Sequence, residues 1–318
     1  YTAVFMNMDN PNLKSLKIRQ ALQKAIHKDT FLEKLPDTIR VETPVLSLEQ
    51  EEWKYAASMD EAKELLDDAG YALVEEEVGV GGDDEEEPVE EVADVTAEEE
   101  VLEEEPVEEE EAEAEAEAEA ADTEEEPQTP IIEESSETRI VRKNPGGDVL
   151  EFRLVARLYP EGSYKYNEIN TIINYLEQQW DTAGIIVNVE LYDATTLQEI
   201  IRTRDYDLLL FGQSLGYNQD LYGYWHSTQA GERGLNLSNY KSFAVDTLIE
   251  QIRNTFDEEE KESLARTLAE TIQADTPAIF LYRPVYYYAS DGKVKGLDLQ
   301  NMAFPADRFC GVADWFLN

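Results

Sequence analysis

Ile185-Ile-Val-Asn-Val-Glu-Leu-Tyr-Asp-Ala-Thr-Thr-Leu-Gln-Glu-Ile-Ile-Arg-Thr-Arg-Asp-Tyr-Asp-Leu-Leu-Leu-Phe211 is the stretch whose reading decides the fold. Ile185–Leu191 has the β-branched richness of a strand, Thr196–Arg204 has helical spacing, and Tyr206–Phe211 reads as a second strand. The run Leu208-Leu-Leu-Phe211 is apolar on both faces, as a central parallel strand requires. Immediately upstream, Ile169, Ile172, Ile173, Leu176 and Trp180 form one stripe of a long helix from Tyr166 to Ala183, stopped by Gly184. Before that helix, Phe152, Leu154, Ala156 and Leu158 alternate with Arg153 and Arg157, the period of a strand. Strand, helix, strand, helix, strand predicts right-handed crossovers and a mostly parallel sheet covered by helices, an α/β fold.

Further elements flank this block. Tyr1–Met8 reads as a strand already inside a domain, broken by Asn10 and Pro11. A helix from about Leu16 to His27 carries Ile18, Leu22, Ala25 and Ile26 on one face, with Arg19, Gln20 and Lys24 off it. Ser58 and Glu61 are spaced as a capping box ahead of Ala62, Leu65, Leu66 and Ala69, and Gly70 ends that helix. Arg139–Leu154 reads as a hairpin with its turn at Asn144–Asp148. Downstream, Ser242–Thr255 and a helix capped by Asp257 follow. The chain then offers Ala278–Tyr288, a strand pair interrupted by Pro284.

Residues 75–137 carry 32 Asp and Glu and no Lys or Arg. Setting them aside leaves 39 of the 71 acidic residues against all 26 basic ones, so this block supplies most of the net charge of −45. It has no aromatic residue, and its Ala-Glu alternation at 111–121 sets Glu against Glu at i,i+4. Too little apolar surface is present to offset chain ordering, which predicts a disordered acidic insert. The expected division is 1–74 and 138–276 as one lobe, 75–137 as the insert, and 277–318 as a closing segment. Net acidity argues against nucleic acid as a partner. Cys310 is the single cysteine, which excludes an internal disulfide and reads as a small buried apolar residue. No apolar run is long enough to span a bilayer as a helix.

One motif invites a catalytic reading. Gly212-Gln-Ser-Leu-Gly216 follows a buried strand and matches Gly-x-Ser-x-Gly, the nucleophile elbow of serine hydrolases. The elbow needs a helix directly afterwards, whereas Tyr217–Tyr224 contains glycine and no helical stripe. His226 is the only histidine downstream, twelve residues on, with no intervening pair of elements. Two separated histidines and one cysteine make no zinc site of the usual kind, and there is no phosphate loop. The expectation is therefore no catalytic residue, no metal and no cofactor, with binding as the default role.

Several segments, in order, resemble the family 5 extracellular solute-binding proteins, the oligopeptide- and dipeptide-binding receptors of ABC importers. They are Phe5-Met-Asn7 with Leu16-Lys-Ile-Arg-Gln-Ala-Leu-Gln-Lys-Ala-Ile-His-Lys28, Met59-Asp-Glu-Ala-Lys-Glu-Leu-Leu-Asp-Asp-Ala-Gly-Tyr71, and Gly147-Asp-Val-Leu-Glu-Phe-Arg-Leu154. Leu176–Val187, Asn239–Ile249 and Thr276-Pro-Ala-Ile-Phe-Leu-Tyr282 continue the series. The resemblance covers nearly all the non-acidic sequence and places the acidic block in a loop, where added length costs little.

The resemblance implies a periplasmic-binding-protein-like (type II) lobe, with ligand held in a cleft between two lobes. It implies that a preceding N-terminal lobe is the partner of this one, that the chain is a fragment or processed piece, and that any targeting signal lies upstream of Tyr1. It further implies a peptide or similar small solute as ligand, permease subunits of an ABC transporter as partners, and a periplasmic or lipid-anchored location. The loop after Phe211 is expected to face the cleft, so Gln213, Gly216, Tyr217, Asn218, Asp220, Tyr222 and Trp225 are the expected ligand-binding residues. Gly216 stands where the family places an acid that meets a peptide amino terminus, and Asp220 is the acid available four residues later. Turn chemistry for Gly216, Asn218 and Asp220, and packing for Tyr217, Tyr222, Tyr224 and Trp225, are the structural alternatives. Two other functions stay open: a serine hydrolase using Ser214, and an interaction protein acting through the acidic insert.

Overall fold

A computed structural model describes residues 1–78, 137–290, 292–296 and 304–317. The chain divides into one compact unit of residues 1–76 with 140–318 and a second of 77–139. Most of the second unit, and with it the expected disorder of the acidic insert, lies outside the described residues.

The first unit is built on a six-stranded sheet. Its strands are β1 (Thr2–Met6), β2 (Thr38–Arg40), β5 (Glu151–Arg157), β6 (Ile186–Tyr192), β7 (Leu208–Gly212) and β8 (Ala278–Pro284). Their order is β2-β8-β1-β7-β5-β6. The block read from sequence is as expected: β5 pairs parallel with β6 and with β7, through crossover helices α4 (Tyr164–Thr182) and α5 (Ala194–Thr203). The sheet as a whole is mixed rather than mostly parallel, because β1 runs antiparallel to both β7 and β8, and β2 antiparallel to β8. The cause is long-range: β1 enters between β7 and β8 from the far end of the chain, and no crossover fixes its direction.

Strand alternation builds two cores. One face of the sheet presents Val4, Met6, Phe152, Leu154, Leu208, Leu210, Ile279 and Leu281 to α1 (Leu16–Lys24), α3 (Met59–Asp68) and α4. The other presents Ala3, Phe5, Val155, Leu209, Ala278 and Phe280 to α5, α7 (Phe243–Asn254) and α8 (Glu258–Asp275). Helices on both faces of one sheet make a three-layer α/β/α lobe. β8 is buried from Ala278 to Tyr282, so the boundary drawn at 276/277 falls just before a strand of this same sheet.

Local signals account for the helix ends. Ser58 accepts from the Glu61 amide at 3.2 Å, Ser163 from Tyr166 at 3.1 Å, and Asp257 from Glu260 at 2.9 Å. Glu61 does not close the expected box. Its carboxylate pairs instead with Lys24 on α1, 2.6 Å away. The helix read as Leu16–His27 ends at Lys24, and a short α2 (Lys28–Leu32) starts with His27 as its cap. The Asn144–Asp148 turn forms, with Gly147 at φ +89°, but only Lys143 and Val149 bridge across it. β4 (Glu137–Lys143) pairs instead with β3 (Ala72–Val78) in a separate two-stranded sheet. Buried Arg142 ties this ribbon down: its guanidinium reaches Asp67 at 2.5 Å, the Tyr71 carbonyl at 2.6 Å and the Ala183 carbonyl at 2.8 Å.

Beyond β8 the chain forms β9 (Val294–Lys295) and β10 (Phe316–Leu317), an antiparallel pair. Cys310 in this segment is exposed, against the expectation that it is buried: the one-turn helix at Pro305–Phe309 that precedes it has no buried residue. No helix among the described residues is long and apolar enough to cross a membrane.

Candidate functional site

β5, β6, β7 and β8 all end on one edge of the sheet, where β1 and β2 begin: Thr2 pairs with Gly212, and Thr38 with Pro284. The carboxyl ends of strands are where open α/β sheets hold ligands, because the connecting loops diverge there. The loop Gln213–Leu221 lies on this edge.

Its root is fixed from within. The backbone amide of Gln213 donates to the Tyr1 carbonyl at 2.8 Å, and the Tyr1 nitrogen donates to the Gln213 carbonyl at 2.9 Å. The Gln213 amide group also accepts from the Tyr1 hydroxyl at 2.7 Å and donates to the Leu235 carbonyl at 2.8 Å. Gln213 is thus buried and committed to the protein. Burial holds the Tyr1 phenol far above its ordinary range.

Gly216 takes φ +70°, and an added Cβ would meet nothing within 4 Å, so backbone conformation alone favours glycine there. Asn218 and Asp220 cap local turns, accepting from the Asp220 and Tyr222 amides at 3.3 and 3.1 Å. Asp220 also lies 3.4 Å from Arg253 of α7. Tyr217 stands out of the loop, 60 % exposed, with its ring edge-on to Phe304 at 6.0 Å. A hydrogen bond to Asp307 pushes its phenol up to about 12.

The last two expected residues face inward. Tyr222 stacks on His226 at 4.2 Å and carries the Arg253 guanidinium 4.5 Å from its ring centre. Trp225, in the short α6 (Tyr222–Trp225), is 1 % exposed. It packs among Phe5, Tyr240 and Phe280 and donates its indole N–H to the Tyr1 hydroxyl at 3.1 Å.

Sequence reading missed the strongest feature of this edge. Tyr286, Tyr287 and Tyr288 follow the end of β8 with exposed rings, and Tyr287 is 68 % exposed. Tyr164, at the start of α4, is exposed as well; desolvation raises both the Tyr164 and Tyr287 phenols, followed by Glu168 and then Asp37 at Tyr164 and by Asp37 at Tyr287. Arg308 donates to the Tyr286 hydroxyl at 3.1 Å. Three consecutive tyrosines just past Pro284 and Val285 were the available signal, because proline is confined to strand ends and edges and β8 stops there. With Tyr217 they give the edge aromatic faces for stacking and phenols for hydrogen bonding.

The nucleophile elbow does not form. Ser214 is exposed, no helix follows it directly, and its carbonyl accepts from the Tyr224 hydroxyl at 2.6 Å. The His226 ring nitrogens meet Thr228 at 2.9 Å and Glu250 at 3.4 Å. Among the described residues no group of acids, histidines and cysteines is arranged to hold a metal ion.

Comparison with known proteins bears on the fold. The chain is similar to the oligopeptide-binding protein AppA from Bacillus subtilis, solved with a nonapeptide: 18% identity, TM-score 0.61, covering 100% of this chain and 50% of that one. It has the fold of about half of an ABC solute-binding protein. The likeness extends to NikZ from Campylobacter jejuni in complex with Ni(L-His), at 18% identity and TM-score 0.64, covering 99% of this chain and 51% of that one. It extends also to the ABC transporter-associated periplasmic binding protein DppA from Helicobacter pylori in complex with the peptide STSA. There the identity is 16% and the TM-score 0.59, with 99% of this chain and 46% of that one covered. The chain thus spans about half the length of these solute-binding proteins. No family model matches the sequence, and no curated protein matches it.

Proposed function

We propose that this chain is one lobe of a family 5 substrate-binding protein of an ABC importer, non-enzymatic and extracytoplasmic. It holds a peptide or similar small solute against the strand-end edge and hands it to permease subunits. A second lobe, of the kind that makes up the rest of its structural neighbours, completes the cleft. The observation that carries this reading is the row of exposed tyrosines, Tyr217 and Tyr286–Tyr288 with Tyr164, on the edge where strands β5–β8 end. Solvent-facing aromatic rings are costly to leave uncovered and suit peptide backbone and side chains alike. Tyr217, Asn218 and Asp220 are the loop residues proposed to meet ligand, whereas Gln213, Gly216, Tyr222 and Trp225 hold the loop in place.

The test is native mass spectrometry and calorimetry with a mixed short-peptide library, on the protein purified intact from its source. Co-purified or titrated peptide, lost on Tyr287→Ala, is the expected result. No bound solute and no heat with any peptide would count against it.

A further inference from the structure

Two arginines stand on the strand-end edge with no acid beside them. Arg157 is the last residue of β5, in register with Tyr192 at the end of β6. Its neighbour Ala156 packs in the core under α1, α3 and α4, so alternation puts Arg157 on the opposite face of the sheet. Arg283 lies at the exposed end of β8, and its neighbour Tyr282 packs in the same core as Ala156. The two arginines therefore share one face. Strands β7 and β1 lie between β5 and β8, which sets the two backbones about 14 Å apart at the usual strand spacing.

Arg157 carries the stronger signal. Its Nε is sealed from solvent and has no hydrogen-bond partner. Among the described residues the side chain forms neither an ion pair nor a hydrogen bond. Its guanidinium carbon lies 5.3 Å from the centre of the Tyr159 ring, which holds the cation in place without neutralising it. A partly buried guanidinium with no acceptor costs free energy that an incoming anion recovers. Arg283 likewise has no ion pair or hydrogen bond among the described residues.

The chain has no shortage of acids to set against them, with 71 Asp and Glu for 26 Lys and Arg. Arg153, earlier on β5, meets Glu190 at 3.0 Å and Asp205 at 3.2 Å, and Arg40, Arg142 and Arg266 are each matched by a carboxylate. The loop after β7, by contrast, has its acid engaged: Asp220 faces Arg253 at 3.4 Å. Asp37, on the other flank of the edge, is engaged by the Tyr287 phenol.

Resting on the solute-binding reading above, we propose that the solute is an acidic peptide, with one carboxylate held by Arg157 and a second by Arg283. A planar guanidinium takes a carboxylate through two parallel N–H bonds. About 14 Å is the reach of roughly four extended residues. A tetrapeptide with an acidic side chain near its start and a free carboxyl terminus therefore spans both cations. The net charge of −45 opposes an anion, but physiological salt damps that field over about 8 Å, so the two local cations decide the preference.

Native mass spectrometry on the intact protein tests this with two tetrapeptide libraries, one carrying Glu at its first or second position and the other Gln in the same place. The Glu library should bind about tenfold more tightly or better. Arg157→Met, which keeps the apolar stem, and Arg283→Gln, at an exposed position that threatens no folding, should each cut that preference several-fold. Arg233→Gln removes an exposed, equally unmatched charge away from the edge and should leave the preference unchanged. Equal binding of the two libraries, a preference that survives either edge substitution, or one lost as fully in Arg233→Gln would overturn the proposal and leave the solute-binding reading standing. Binding of neither library would overturn both.

Discussion

Trp225 donates its indole N–H to the Tyr1 hydroxyl across 3.1 Å, and that hydroxyl donates onward to Gln213 at 2.7 Å. The relay joins α6, the start of β1 and the first residue after β7, so the root of the 213–221 loop belongs to the core. Trp225→Ala is therefore expected to destabilise the lobe by about 3–5 kcal/mol, as truncation of a large buried aromatic does. Trp225→Phe, which keeps most of the volume and leaves Tyr1 without its donor, should cost about 1–3 kcal/mol. Urea unfolding followed by circular dichroism measures both. An unchanged midpoint for the alanine variant would move the indole out of the core and back among the ligand contacts.

The tyrosine edge should behave in the opposite way. Tyr164 and Tyr287 are both exposed, so replacing the pair by alanine is expected to alter stability by no more than about 0.5 kcal/mol. The same double variant should weaken solute binding in the intact protein about tenfold or more, read by calorimetry. A variant that binds as well as the parent would remove these rings from the proposed cleft.

Lys28 is buried against Glu42 at 2.5 Å, with Arg40 on the same carboxylate and the Tyr55 ring centre 4.8 Å away. Desolvation, partly opposed by Glu42, pulls the Lys28 ammonium down to about 8. In the unfolded chain a lysine titrates near about 10.4. Between these values the unfolded chain holds the proton and the folded lobe releases it, so this group makes stability rise with pH there. Below pH 8 the proton is bound in both states and the cost of burying it is present in full. Raised tyrosine phenols push the other way at the alkaline end, so the comparison is with Lys28→Met. Stability of the parent relative to Lys28→Met should climb by about 1–2 kcal/mol from pH 8 to pH 10. A flat difference would show that Lys28 keeps its ordinary affinity for the proton.

Tyr217 reports on the segment beyond β9. Its phenol is pushed up to about 12 foremost by Asp307. Asp307→Asn should return it toward about 10, followed through the tyrosine ring carbon shift in NMR. A phenol already titrating normally in the parent would mean that residues 304–314 do not rest against this loop.

Much of the fold was legible because its signals are local. The apolar run Leu208–Phe211 and the stripe Ile169–Trp180 each report on one element, and Ser58, Ser163 and Asp257 mark helix starts within a single turn. The direction of β1 was not legible. Thr2–Met6 looks the same whether it pairs parallel or antiparallel, and its partners lie more than two hundred residues away. For the candidate site, the loop that follows β7 led to Tyr217 and Asp220, the first of which the fold leaves exposed and the second turned toward Arg253. Trp225 was read as a ligand contact because a four-residue helix shows no periodicity from which burial could be inferred. Tyr286–Tyr288 escaped because three β-formers in a row read as strand, although Pro284 ends the ladder just before them.

Arg142 grips α3, the turn after it and the end of α4 at the point where β3 leaves the lobe and β4 returns. The β3–β4 stem is therefore clamped to the lobe at its inner end, and all six strands of the main sheet come from outside residues 79–136. Exchanging residues 79–136 for a short Gly-Ser linker should leave one cooperative unfolding transition, with a midpoint no lower than the parent's, since a shorter closed loop forfeits less entropy. A broadened or lowered transition in differential scanning calorimetry would contradict that. The same stem makes this lobe a natural docking port for grafted cargo, such as a reporter, an affinity handle or a sensor module, placed there without disturbing the layers beneath.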